Sequence, residues 1–135
     1  MKEEYQENQK NKALGTGTYR EILETEFLPT VTKTQYVVCA FFHKDFERCK
    51  IIDMHLQKIA PNHTETLFVK IDAERAPFFV NKLQIRTLPT IVCFEDGIAI
   101  DQIVGFEELG EEDDFPTMNL IRKLVKIGML LPKTA

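Results

Sequence analysis

The spacing of apolar positions changes several times along this 135-residue chain, and each change predicts an element. Residues 1 to 12, MKEEYQENQKNK, are nearly devoid of apolar residues and read as a helix-prone, solvated tail. Gly15, Thr16 and Gly17 then break the chain, which divides it into a tail over 1–14 and one domain over 15–135. Tyr19 to Leu23 suits a short edge strand. A short helix follows between about Glu24 and Lys33, although Pro29 falls inside it and proline is comfortable only in a first turn. YVVCAFF, from Tyr36 to Phe42, is a continuous apolar run, the pattern of a strand covered on both faces and so central in its sheet.

After that strand the period becomes helical. Phe46, Cys49, Ile52, Leu56 and Ile59 share a stripe on a helix that Asp45 is placed to cap and that stops near Pro61. TLFVKID from Thr66 to Asp72 is a strand, and Ala76 to Leu83 a helix. TIVCFE, the turn Asp96-Gly97 and IAIDQIVGF read as a hairpin. Leu120, Ile121, Leu124, Val125 and Ile127 close the domain with a helix begun near Pro116. Two β-α-β crossovers, a hairpin and a covering helix describe an α/β fold with a central mixed sheet of four or five strands and helices on both faces.

Composition narrows the function classes. Apolar residues are 44% and charged residues 28%, with a formal net charge of −4, which opposes a general nucleic-acid binder. No apolar run reaches the roughly 18 residues that span a bilayer, and the polar start lacks the apolar core of a secretory signal. The expectation is a soluble, cytoplasmic protein without cofactor or metal. Three cysteines, Cys39, Cys49 and Cys93, are an odd number without metal-ligand spacing, which suits a reducing compartment. Gly15-Thr16-Gly17 meets neither phosphate-binding motif, and His43, His55 and His63 are scattered. Glu107, Glu108, Glu111, Glu112, Asp113 and Asp114 place six carboxylates in eight residues ahead of the last helix. They are either solvated charge at the positive end of a helix dipole or a docking patch for a basic partner.

The element order and two local motifs resemble the thioredoxin fold. RTLPTIVCFEDG, from Arg86 to Gly97, is similar to that family's segment around its cis-proline, here Pro89, and FHKDFERCK lies where the family carries Trp-Cys-Gly-Pro-Cys-Lys. GTGTYREI from Gly15, Arg48 to Ile51, Lys82 to Thr90, VGF from Val104, Glu108-Leu109-Gly110 and Asp113 to Phe115 together resemble the phosducin-like family, nearest its thioredoxin domain-containing protein 9 branch. The resemblance implies that residues 1–14 are the stump of a longer helical segment. It also implies a cochaperone of the cytosolic chaperonin that modulates tubulin and actin folding, with G-protein βγ subunits as partners of related members.

Aligned this way, Cys49 holds the resolving position, Phe46 replaces the attacking cysteine, and Ala40 stands where thioredoxins keep a buried carboxylate. Disulfide exchange needs an attacking thiolate and a second, resolving thiol. The site therefore reads as vestigial, with Phe46, Cys49 and Pro89 its remaining positions and no catalytic residue. The alternative is a monothiol redox or sensor protein that uses Cys49, whose place in a first helical turn near His43, Arg48 and Lys50 favours a thiolate.

Overall fold

The computed structural model describes residues 17–131, so the expected tail over 1–14 lies outside the described residues. Five strands form one mixed sheet: β1 (Tyr19–Ile22), β2 (Tyr36–Phe42), β3 (Leu67–Asp72), β4 (Thr90–Glu95) and β5 (Ile98–Val104), in the spatial order β1-β3-β2-β4-β5. β1, β2 and β3 are parallel, β4 runs antiparallel to β2, and β5 antiparallel to β4. Four helices cover it: α1 (Glu24–Lys33), α2 (Glu47–Ile59), α3 (Pro77–Lys82) and α4 (Thr117–Ile127).

Strand β2 is central, and its alternating side chains feed two separate cores. Val38 and Ala40 point to one face, where they meet Ile52 and Leu56 of α2 and Leu120 and Leu124 of α4. Val37, Cys39 and Phe41 point to the other, against Phe27 and Val31 of α1 and Phe79 of α3. On that second face the Phe27 ring lies 4.2 Å from Phe79 and 5.5 Å edge-on from Phe94, centroid to centroid, the latter an edge-to-face arrangement of the favourable kind. Cys39 and Cys93 sit on neighbouring strands but belong to opposite faces, so no disulfide can join them.

Local chemistry accounts for the boundaries. Pro29 lies in the interior of α1, contrary to the first-turn preference. Burial of Phe27 and Val31 holds that helix down. Thr30 Oγ1 donates to the Glu26 carbonyl and Thr32 Oγ1 to the Leu28 carbonyl, supplementing the interrupted ladder. The Glu26 carboxylate accepts from the Leu23 N–H at the helix start. Asp96 and Gly97, at φ 53° and 83°, both adopt the left-handed conformation that a two-residue hairpin turn requires. Gly128, at φ 103°, ends α4 by donating to the Leu124 and Val125 carbonyls.

Two expectations need correction. Asp45 does not cap α2: the cap position is Phe46, without a side-chain cap bond. The Phe46 N–H donates to the His43 carbonyl and the Asp45 N–H to His43 Nδ1, so a tight turn consumes Asp45 before the helix begins. Consequently Phe46 is not on the buried stripe of α2. Its backbone is extended and its side chain 47% exposed.

The two helices on the first face are tied by His55, which is buried on α2. Its Nδ1 lies 2.6 Å from Thr117 Oγ1 at the start of α4, and its ring stacks 4.4 Å from Phe115. Burial first, and then the Lys58 charge, hold the imidazole below its ordinary pKa, and Nε2 is buried without a partner. A folded pKa below the unfolded value means that the unfolded chain takes up the proton first on acidification. The contribution of His55 is present above about pH 6.5 and is lost as pH falls towards the folded value. Urea midpoints at about pH 7.5 and 5.5 should therefore drop more for the native protein than for His55→Gln. Equal drops would exclude His55 as the source.

Candidate functional site

Strand β2 ends at Phe42, and the chain turns through His43 to Phe46 into α2 beside the loop that precedes β4. The Leu88–Pro89 peptide bond in that loop is cis. Pro89 is buried and its carbonyl accepts from Gly105 N–H at 2.9 Å, while Thr90 Oγ1 donates to the Thr87 carbonyl at 2.5 Å. Phe46 lines a cavity of about 350 Å³ with Ala73, Val80, Ile85, Arg86, Thr87 and Leu88. His43 steers Phe46 there: its ring meets Phe46 edge-on at 5.6 Å and its Nε2 lies 2.7 Å from the Glu74 carboxylate. At the attacking position there is thus an apolar ring standing over an apolar groove.

Cys49 follows in the first turn of α2 and is only 3% exposed. Burial pushes its thiol pKa up, a backbone hydrogen bond at His43 works against this, and the nearby Asp53 carboxylate adds to the rise. The cations expected to favour a thiolate are otherwise engaged. Arg48 Nε bonds Asp113 at 3.0 Å and its guanidinium lies over the Phe106 ring, while Lys50 pairs with Glu47. Cys39 and Cys93 are buried, and burial raises both thiols, that of Cys93 to about 12.

Sequence reasoning missed the most developed polar cluster near the site. Asp53 stands one helical turn after Cys49. Its Oδ1 accepts from the Tyr19 hydroxyl at 2.7 Å and its Oδ2 from Lys70 Nζ at 2.9 Å. The Lys70 ammonium also faces the Phe42 and Tyr19 rings at 5.0 and 5.5 Å, a cation–π arrangement. Burial, followed by the Asp53 charge, drives the Tyr19 phenol far above its ordinary pKa, so it remains a donor. Ala40, paired with Lys70 in register, offers no carboxylate where the resemblance places one. The local carboxylate is that of Asp53 on the helix, held by two donors. The i, i+4 spacing of Cys49 and Asp53 was the one available signal.

The acidic segment is not a uniform patch. Asp113 is bound by Arg48 and Glu108 by Lys123, so the loop is clamped to α2 on one side and α4 on the other. Glu107, Glu111, Glu112 and Asp114 are exposed, with no ion pair among the described residues. At the end of the sheet where β2 stops, the Cys49 N–H donates to the Phe46 carbonyl, and Phe46 lines its cavity with Leu88, the residue before Pro89. The Arg48–Asp113 pair links that end to the acidic loop.

Two measurements follow. At neutral pH a disulfide-exchange thiol reagent should label Cys49 far more slowly than free cysteine and all three thiols rapidly after unfolding; fast native labelling would contradict the sealed geometry. Asp53→Ala should lower folding stability by about 1–3 kcal/mol in urea titrations, because Tyr19 and Lys70 lose their acceptor. A smaller change would show that the cluster contributes little to folding.

The thioredoxin family model matches residues 19–117. Thioredoxin domain-containing protein PLP3A of Arabidopsis thaliana is 51% identical over 130 residues, which are 96% of this chain and 56% of that protein. Phosducin-like protein 3 of Dictyostelium discoideum is 49% identical over 84% of the chain and 62% of its own length, and human thioredoxin domain-containing protein 9 is 40% identical over 89% and 54%. The chain therefore spans somewhat more than half the length of these curated relatives. Among solved structures, thioredoxin f from spinach chloroplast (long form) superposes with a TM-score of 0.73 at 20% identity, covering 89% of this chain and 93% of that one, a likeness of fold. The chain belongs to the thioredoxin family, with curated homologues named thioredoxin domain-containing protein PLP3A, phosducin-like protein 3 and thioredoxin domain-containing protein 9 at 40–51% identity over most of its length.

Proposed function

We propose that this chain is a redox-inactive binding module of the cytoplasm, a cochaperone that modulates chaperonin-assisted folding of tubulin and actin through protein contacts. G-protein βγ subunits are the second partner class. The observation that carries the reading is the sealed thiol. Phe46 occupies the attacking position, Cys49 is buried with its pKa raised, and Asp53 is engaged by Tyr19 and Lys70, so no group remains free to start or resolve an exchange. The exposed Phe46, the groove beside Leu88, and the free carboxylates Glu107, Glu111, Glu112 and Asp114 supply contact surface without chemistry. The names of the relatives, phosducin-like protein 3 and thioredoxin domain-containing protein 9, support the family side of this reading. Among the described residues no helix is long and apolar enough to cross a membrane.

Capture of purified cytosolic chaperonin on the immobilised chain tests it. Glu111→Lys, Glu112→Lys and Asp114→Lys together should slow association and weaken capture at low salt, with Asp113 kept because it anchors Arg48. Unchanged capture would remove the acidic loop from the interface, and absence of capture by the native chain would overturn the chaperonin assignment. Insulin-disulfide reduction decides between this reading and monothiol redox chemistry at Cys49: turnover by the native chain would overturn the binding-module reading.

A further inference from the structure

The cavity that Phe46 lines does not end at Leu88. A second one of about 500 Å³ shares Ala73, Val80, Ile85 and Arg86 with it and runs on along α3 to Asn81 and Gln84, so the two make one groove, and Cys49 lines neither part. Its walls are fixed by the fold. α3 ends where Gln84, at φ 57°, takes the left-handed conformation, and the chain turns back so that the Ile85 N–H donates to the Val80 carbonyl at 2.9 Å. Gln102 Nε2 of β5 donates to the Leu83 carbonyl at 2.9 Å and ties the same turn to the sheet. At the opposite end, His43 stands between Glu74 and the Phe46 ring.

Charge in this groove is one-sided. Glu74, the one carboxylate among its lining residues, is engaged by His43. Arg86, the one cation there, is exposed and has no ion-pair partner among the described residues. An unengaged guanidinium therefore stands beside an apolar recess of Phe46, Ile85 and Leu88, in a chain whose net charge is −4.

We propose that this groove holds an extended segment of a partner protein in which a large apolar side chain adjoins a carboxylate. The apolar side chain rests between Phe46 and Leu88, the carboxylate meets the fork of Arg86, and the exposed amides of Asn81 and Gln84 take the segment's backbone beyond it. Fixed walls keep the ordering cost on the protein side small. The acidic loop of a second copy is the poorer occupant, because the apolar residues among its carboxylates, Leu109 and Phe115, are buried in their own core. This rests on the reading of the site as one that binds rather than reacts, and names the chemistry of what it binds.

The test is fluorescence anisotropy of the full chain with a labelled octapeptide of glycine and serine around a central phenylalanine-aspartate pair. Two controls carry lysine for the aspartate or alanine for the phenylalanine. The first peptide should bind best, weaken as salt rises, and move the amide resonances of residues 84–88. Arg86→Glu should weaken it about tenfold and turn the preference towards the lysine peptide, with circular dichroism unchanged; damage to the fold would not reverse a preference. Phe46→Ala should weaken both phenylalanine peptides and leave their order unchanged. No binding, equal binding of the aspartate and lysine peptides, resonance changes confined to other segments, or a sedimenting dimer dispersed by Arg86→Glu would each overturn the proposal. Insulin turnover with peptide binding intact would overturn the binding-module reading alone, and failure of the peptide without turnover would overturn this inference alone.

Discussion

Everything else in the fold depends on β2 being buried from both sides. Val38 and Ala40 face α2 and α4, whereas Val37, Cys39 and Phe41 face α1 and α3, so one seven-residue strand is the common wall of two cores. A strand so placed tolerates no polar side chain without a partner. The loop from His43 to Phe46 continues from the end of that strand, and Phe46 lines a cavity with Leu88, the residue before Pro89. The wall fixes where the site begins, and the turn closed by His43 fixes where Phe46 points.

The same wall explains the altered chemistry. With Ala40 facing α2, nothing on β2 can accept a proton from Cys49, and the space is closed by apolar packing. A charge is still present close by, since Asp53 reaches Tyr19 and Lys70 at the margin of the core. Both its oxygens accept from donors and the lysine also rests against two rings, so the cluster is satisfied and structural in character. A carboxylate near a thiol suggests catalysis only until its partners are counted.

Charge is segregated over the surface. The acidic loop is divided between carboxylates that clamp the fold, Asp113 to Arg48 and Glu108 to Lys123, and those that remain free. Lys123 in turn joins the acidic loop to α4 through Glu108. Beyond it, Arg122 and Lys126 leave a small basic region on an acidic molecule. A net charge describes neither region.

The sequence by itself determined the order of the elements, the central place of the YVVCAFF strand, the hairpin at Asp96-Gly97 and the helical period of the closing segment. Each rests on local periodicity or turn chemistry, which a chain displays without folding. It also determined that one of the two thiols of an exchange site was absent, because that is a matter of residue identity. Only the tertiary structure decided where the retained groups point. A turn closed by His43 shifted the start of α2 past Asp45 and sent Phe46 outward to the groove instead of over Cys49. Pairing of β2 with β4 put Cys39 and Cys93 on opposite faces. Tyr19, Asp53 and Lys70, far apart in the chain, met only when β1, α2 and β3 packed together. Contacts between distant residues depend on packing and register, and no local pattern encodes them.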